Sequence, residues 1–256
     1  MGILNVTADS FSDGGKYLDA EQATERAQQM LADGADIIDI GGESTRPGFI
    51  PVDAEEEIRR VIPVVERLIP VLKAPISVDT TKAAVAEQAL AAGAHIINDI
   101  WGFQREPDLA EISAEYDAGV ILMHNSDSGG YQDIIADIIA FLRKGFAIAR
   151  KAGIKEERIV LDPGIGFGKD LSQNLEVMRR LKELQALGFP VLMGTSRKSM
   201  IGKVLNLPVH ERMEGTAATV ALSIAYGADF VRVHDVKEMK RVAAMTDAMV
   251  RGLSNG

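Results

Sequence analysis

The chain has 256 residues, of which 46% are hydrophobic and 25% are charged, and it contains no cysteine. The lack of cysteine excludes disulfides, zinc–thiolate sites, iron–sulfur clusters and cysteine nucleophiles. A formal net charge of −9 argues against a general nucleic-acid-binding protein, which needs a basic face. The apolar runs are far shorter than the roughly 20 residues that span a bilayer, and the amino terminus lacks a signal-peptide pattern. We therefore expect a cytoplasmic globular protein with no membrane partner.

One pattern recurs along the chain, in which a helical stretch, often ending in glycine, precedes a short apolar run. Such runs are typical of strands buried on both faces of a parallel sheet, and the glycine suits the left-handed position that ends a helix. Eight strands are predicted, at residues 2–6, 34–40, 75–78, 93–99, 119–124, 158–161, 188–194 and 227–234. Apolar residues at three- and four-residue spacing predict helices at 21–32, 54–72, 82–92, 108–116, 134–151, 172–187, 213–226 and 236–251.

This alternation of strands and helices requires right-handed parallel crossovers. Eight repeats in about 250 residues predict a (β/α)₈ TIM barrel, an α/β fold, formed as one domain by residues 1–256. The alternative is an open doubly wound sheet, which usually has fewer strands and a glycine-rich first turn. The first turn, residues 5–9, carries no such fingerprint.

Polar side chains follow the predicted strands at the carboxyl ends, where barrels place their chemistry. Asp79, Asn98 and Asp162 each come directly after an apolar run, so we expect them to project into the barrel mouth. A polar strand end can simply meet water, which explains any one of these residues but explains the set poorly, because unpaired polar groups there are costly. The three side chains predict a pocket for a polar, planar ligand. The other polar residues at these strand ends include Asn5, Asp39, Glu43 and His124.

A cationic group follows the last two strands. Lys198 lies after strand seven, and Arg232 and His234 end strand eight. Barrels often bind phosphate in the loops after these two strands, and arginine offers a planar fork of donors. A surface salt bridge is the alternative for Arg232, but its position at the end of a buried strand disfavours it. The group predicts an anionic part of the substrate.

Three loops complete the predicted site. Loop one (residues 5–15) and loop two (41–48) are long, and such loops over a barrel mouth are more often lids or binding loops than plain connections. In loop one, Asn5, Asp9 and Asp13 are candidate oxygen ligands for Mg²⁺. The glycine-rich segment 162–169 has the wrong spacing for a Walker loop and no Ser or Thr after Lys169, so we interpret it as a backbone wall beside Asp162.

The most distinctive segments are residues 2–7 with 9–15, 41–48, 162–169, 196–199 and 232–235. Together they resemble the signature motifs of the dihydropteroate synthases, in the family's order and over essentially the whole chain. The resemblance implies a (β/α)₈ barrel that forms a homodimer. It also implies Mg²⁺-dependent transfer of the dihydropterin-methyl group from 6-hydroxymethyl-7,8-dihydropterin diphosphate to 4-aminobenzoate. The products are 7,8-dihydropteroate, in folate biosynthesis, and pyrophosphate, and sulfonamides are expected to compete with 4-aminobenzoate.

The resemblance further implies roles for individual residues. The pterin-binding and catalytic set is Asp79, Asn98, Asp162 and Lys198. The Mg²⁺ ligands are Asn5 and Asp13, assisted by Asp9. The diphosphate contacts are Thr45, Arg232 and His234. The residues that enclose 4-aminobenzoate are Phe11, Arg46, Pro47, Phe167, Lys198 and Ser199.

Two other functions remain open at this point. Methyltetrahydrofolate–corrinoid methyltransferases also bind pterin in such a barrel, but without a diphosphate leaving group they do not require the Ser196–Lys198 cluster together with Arg232 and His234. A non-catalytic pterin-binding barrel would be expected if the cationic or carboxylate positions had been lost, and here they are present. Pyrophosphate release that requires both 4-aminobenzoate and Mg²⁺ distinguishes the three.

Overall fold

The computed structural model describes residues 1–6, 15–43 and 52–252. Within these ranges, the strands are β1 Gly2–Asn5, β2 Ile38–Gly41, β3 Ile76–Asp79, β4 Ile96–Asp99, β5 Gly119–Met123, β6 Ile159–Asp162, β7 Leu192–Met193 and β8 Phe230–Val231. The α-helices are α1 Gly15–Ala32, α2 Ala54–Leu68, α3 Ala83–Ala91, α4 Asp108–Glu115, α5 Ile134–Ala152, α6 Leu171–Arg179, α7 Ser199–Leu205, α8 Met213–Ala225 and α9 Val236–Val250. No described helix is both long and apolar enough to cross a membrane.

The strands close into a ring. Strands β1 to β6 form a parallel sheet in chain order, and β7 pairs in parallel with β8. Two isolated parallel bridges, Leu161 to Val191 and Gly2 to Val233, join the open edges. At the second junction the Ile3 N–H donates to the Val233 carbonyl at 3.0 Å. The predicted eight-stranded α/β barrel is therefore confirmed.

The predicted elements differ from the structure at the ends of strands and helices. Strands seven and eight, predicted at 188–194 and 227–234, are only two residues long as β7 and β8. Helix α2 stops at Leu68, four residues early, because Pro70 has no N–H to continue the helical hydrogen bonds. The predicted helix at 172–187 divides into α6 and the 3₁₀ turn Leu181–Leu187. Helix α7 is not among the predicted helices, because its seven residues are too few to show helical periodicity.

The barrel interior changes from apolar to polar along its axis. Met1, Ile121 and Leu192 form a buried cluster of their own inside the ring. One step towards the carboxyl ends, the parallel register sets Asp39 of β2 beside Ser77 of β3, and both are fully buried. Side chains two residues apart on a strand share a face, so the polar strand-end residues lie above an apolar floor.

Candidate active site

The carboxyl ends of β2, β3 and β4 share one hydrogen-bonded network with β8. Asp79 and Asn98 are register partners on neighbouring strands. From β8, on the other side of β1, Arg232 donates through Nε to Asp39 Oδ2 at 2.6 Å and through Nη2 to Asp79 Oδ2 at 2.8 Å. The Asn98 amide donates to the same Asp39 oxygen at 3.4 Å. The structure thus brings the predicted heterocycle pocket and the predicted basic residue Arg232 into direct contact.

Asp39 is predicted among the polar strand-end residues, but the sequence assigned it no role in the site. It is fully buried, and among the described residues its Oδ1 has no hydrogen-bond partner. Its position two residues before the end of β2, on the face that continues to Gly41, is the signal that could have identified it as an inward-facing residue. Its partner Arg232 lies 193 positions away in the chain, so no local pattern connects the two.

Burial and opposite charge compete at these groups. Burial raises the pKa of Asp79, while the Arg232 guanidinium acts to lower it. Burial acts to lower the pKa of Arg232, but Asp39 and Asp79 outweigh it and hold that pKa above its ordinary value. Arg232 therefore keeps its charge at all relevant pH values, and the pocket carries one fixed positive charge between two carboxyl groups.

Asp162 and Lys198 form the opposite wall. The Asp162 carboxylate is buried at the end of β6 and accepts a 2.7 Å hydrogen bond from the Gly164 N–H. Burial raises the pKa of Asp162. Lys198 precedes α7, and its Nζ lies 4.2 Å from the centre of the Phe167 ring, which is within cation–π range. Burial lowers the pKa of Lys198 to about 8, with Arg232 lowering it further and Asp162 and Asp79 raising it.

The loops after β7 and β8 are tied to each other. Arg197 has a φ of +56°, in the left-handed region, and donates to Asp235 through Nε at 3.0 Å. Ser196 Oγ lies 2.9 Å from His234 Nδ1 and also accepts from the His234 backbone N–H at 3.2 Å. Arg197 is therefore occupied by a structural ion pair, whereas the adjacent Lys198 turns towards Asp162 and Phe167.

A second buried ion cluster lies at the base of loop two. Lys82 Nζ contacts Glu43 Oε2 at 2.7 Å and Glu57 Oε2 at 2.5 Å. The Val52 N–H donates to the same Glu43 oxygen at 3.0 Å, so this carboxylate joins the two described ends of the loop. Glu57 is fully buried, and its charge depends on Lys82 for compensation.

Comparison with known proteins identifies the family to which this barrel belongs. The model of the pterin-binding enzyme family matches residues 1–234. Dihydropteroate synthase of Clostridium beijerinckii is 55% identical to this chain, over 98% of the chain and 94% of the relative. The chain belongs to the dihydropteroate synthase family.

Solved structures of this family agree with the fold throughout. The crystal structure of the Clostridium difficile dihydropteroate synthase, in the presence of pteroic acid, has a TM-score of 0.96 at 54% identity, covering 98% of this chain and 96% of that one. The Xanthomonas albilineans dihydropteroate synthase with 4-aminobenzoic acid has a TM-score of 0.93 at 41% identity, covering 99% and 93%. The (β/α)₈ fold, the pterin-binding function and the assignment to the transferases are thereby confirmed for this chain.

The structure places the predicted site residues that it describes at one end of the barrel. Asp79, Asn98, Asp162, Lys198, Phe167, Arg232 and His234 all lie at the carboxyl-terminal face of the barrel. Asn5 ends β1 at the same face and is half-buried, and Ser199 is exposed at the first residue of α7. The remaining predicted site residues lie outside the described residues: Asp9, Phe11, Asp13, Thr45, Arg46 and Pro47.

Proposed function

We propose that the residues at this face carry out the family's reaction, with Asp79, Asn98 and Asp162 binding the dihydropterin and Lys198 completing the pocket. The observation that carries the proposal is the convergence of two walls on one mouth. Asp79 and Asn98 are joined through Asp39 and Arg232, and Lys198 is electrostatically coupled to Asp162, Asp79 and Arg232. Carboxylates and an amide side chain together offer the acceptors and donors that a flat, nitrogen-rich heterocycle needs.

The bond that breaks joins the pterin methylene carbon to an oxygen of the diphosphate. Negative charge accumulates on the leaving oxygens, and positive charge accumulates on the methylene and spreads into the pterin ring. Asp79 and Asp162 favour the positive charge, so we assign a dissociative substitution in which the weakly basic aryl amine needs no strong general base. A secondary deuterium isotope effect near unity, measured with deuterium on the methylene carbon, would contradict the dissociative step.

Arg232, His234 and Thr45 are assigned to the departing diphosphate. Arg232 uses its Nε and one Nη2 N–H on the two carboxylates, and its other N–H donors have no partner among the described residues. A guanidinium anchored in this way presents fixed donors to phosphate oxygens. His234 is held in place by Ser196, which orients its ring on the same side.

Mg²⁺ is assigned to Asn5 together with Asp13 and the substrate's own phosphate oxygens. Among the described residues no group of three acidic, histidine or cysteine side chains could hold a metal ion. Asn5 offers one half-buried amide oxygen at the barrel mouth, near the β3 end that carries Asp79. This fits Mg²⁺, which usually takes only one or two protein ligands beside waters and phosphates. When bound, the ion neutralises charge on the leaving diphosphate.

The partner is assigned as a second copy of this chain. Large apolar side chains are exposed on α7, α8, α9 and the turn between α7 and α8: Val204, Leu205, Val209, Met213, Leu222, Met245, Met249 and Val250. Met249 is 66% exposed, and such apolar surface favours burial against another chain. Light scattering should give a dimer, and a Met249→Lys variant should shift it towards monomer. We further assign residues 1–256 to one domain and the protein to the cytoplasm.

The test of the whole assignment is an assay of pyrophosphate release from 6-hydroxymethyl-7,8-dihydropterin diphosphate. Release should require both 4-aminobenzoate and Mg²⁺, and a sulfonamide should compete with 4-aminobenzoate. Lys198→Ala should lose more than about 2 kcal/mol of transition-state stabilisation, because it removes a charged contact. An Asn5→Ala variant should need more Mg²⁺ for half-maximal rate. Release that is independent of 4-aminobenzoate would contradict the assignment.

A further inference from the structure

The glycine-rich segment after β6 approaches the end of β5 more closely than any side chain would allow. Gly164 has a φ of +71°, and a Cβ added there would lie 1.9 Å from the His124 carbonyl oxygen. At Gly168, with a φ of +57°, a Cβ would lie 2.2 Å from the Ser126 carbonyl oxygen. The segment therefore packs its backbone directly on residues 124–126. Its Ile165 side chain is buried in the core, and hydrogen bonds hold the backbone on either side of it.

The Lys169 ammonium lies at the centre of this contact. Its Nζ donates to the carbonyls of Gly164 at 2.9 Å and Phe167 at 3.0 Å, and it lies 2.8 Å from His124 Nδ1. All three N–H donors of the ammonium are thus used on neutral acceptors. Burial lowers the pKa of Lys169 to about 7, and nearby Asp162 opposes that shift.

His124 is suited to accept the third hydrogen bond. Burial lowers its pKa to about 3, with Lys169 lowering it further, so the imidazole is neutral. Because Nδ1 accepts from an ammonium, the ring proton is assigned to Nε2. The ring packs against Phe141 with centroids 4.8 Å apart, which fixes its orientation.

The other end of the glycine-rich segment meets the site. Phe167 carries one of the two carbonyls that Lys169 holds, and its ring lies against the Lys198 ammonium. A Cβ at Gly166 would lie 3.0 Å from Lys198 Cδ. Lys169 itself makes no hydrogen bond to the pterin-binding side chains within the described chain, so it acts on the site through this segment and through the charge that it places near Asp162.

We propose that Lys169 is a positioning residue, which holds the carbonyls of Gly164 and Phe167 so that the glycine-rich segment supports Lys198 and forms the wall for 4-aminobenzoate. This inference rests on the proposed function and adds to it a residue outside the predicted substrate contacts. His124 keeps the ammonium in place from the β5 side. Asp79 and Asn98 are carried by β3 and β4 and do not touch this segment, and Asp162 meets it through the hydrogen bond from the Gly164 N–H.

The test is the separate measurement of both KM values in the full chain with Lys169→Met. We expect the KM for 4-aminobenzoate to rise about tenfold or more, the equivalent of one lost hydrogen bond to a charged group. The KM for the pterin diphosphate should change by less than about threefold, because Asp79 and Asn98 are untouched and Asp162 alone of the pterin-binding carboxylates contacts the segment. The matched control is Lys144→Met, an exposed lysine of the cleft beside His124, which should leave both KM values unchanged.

A purely structural role gives a different result. Partial unfolding reduces the amount of active enzyme, so it lowers the apparent kcat and leaves both KM values alone. If Lys169→Met does not fold, Lys169→Gln decides, since its amide retains two N–H donors and should show the same KM split to a smaller degree. If the variant is active and its two KM values change equally or not at all, the inference about Lys169 is wrong while the proposed function stands. A wild-type chain without 4-aminobenzoate-dependent pyrophosphate release would overturn the proposed function together with it.

Discussion

Replacing Asp39 by asparagine tests whether the network inside the barrel holds the site together. The carboxylate is fully buried and accepts the 2.6 Å hydrogen bond from Arg232. Asparagine keeps the shape and one acceptor oxygen but removes the charge, while Arg232 retains Asp79 at 2.8 Å. The variant should therefore lose less free energy of unfolding than a protein whose buried charge has no partner left. The expected loss is close to that of one hydrogen bond to a charged group, roughly 2–3 kcal/mol. For a chain of this size that corresponds to a Tm lower by roughly 4–12 °C.

The chain provides a matched control for this substitution three residues earlier. Asp36 pairs with Lys240 at 3.0 Å, but its side chain is 77% exposed. Asp36→Asn should therefore change the free energy of unfolding by less than about 1 kcal/mol. Both variants are compared by urea and thermal unfolding, and their kcat/KM values are measured in parallel. If Asp39→Asn is no less stable than Asp36→Asn, the proposed role of the buried network is wrong.

Three further predictions concern other parts of the site. Gly164→Ala should destabilise the protein by more than about 3 kcal/mol, because the strain of a left-handed backbone adds to a clash with the His124 carbonyl. The control Gly153→Ala, at φ +96° with nothing within 4 Å, should cost only about 1–2 kcal/mol. Equal Tm values for the two variants would refute the clash. Lys82→Met should cost about 3–5 kcal/mol in urea unfolding, because it removes the ion-pair partner of the buried Glu57. A loss under about 1 kcal/mol would show that this ion pair does not stabilise the fold. The lowered pKa of Lys198, about 8, predicts that kcat/KM falls as the pH rises above that value, because the ammonium loses its proton. Lys198→Arg should remove this fall at high pH even if its maximum rate is lower. An unchanged fall in the variant would assign the titration to another group.

The sequence by itself determined the repeating pattern and therefore the barrel. Parallel strands buried on both faces read as continuous apolar runs, and the first polar residue after each run marks the carboxyl-terminal face. Asp79, Asn98 and Asp162 were found in this way, and the motifs around them indicated the family. These features are local, because each depends on neighbours within one strand, loop or helix.

Only the tertiary structure decided which of these side chains touch. Arg232 meets Asp39 from β8, a strand that ring closure places beside β1 and one strand away from β2. Lys169 meets His124 only because two glycines, Gly164 and Gly168, let one backbone pass against another. Such contacts depend on the closure of the ring and on the close approach of distant segments, so no periodicity or spacing in the chain encodes them. Short-range patterns specify elements, whereas the pairing of buried charges follows from how those elements close around a common axis.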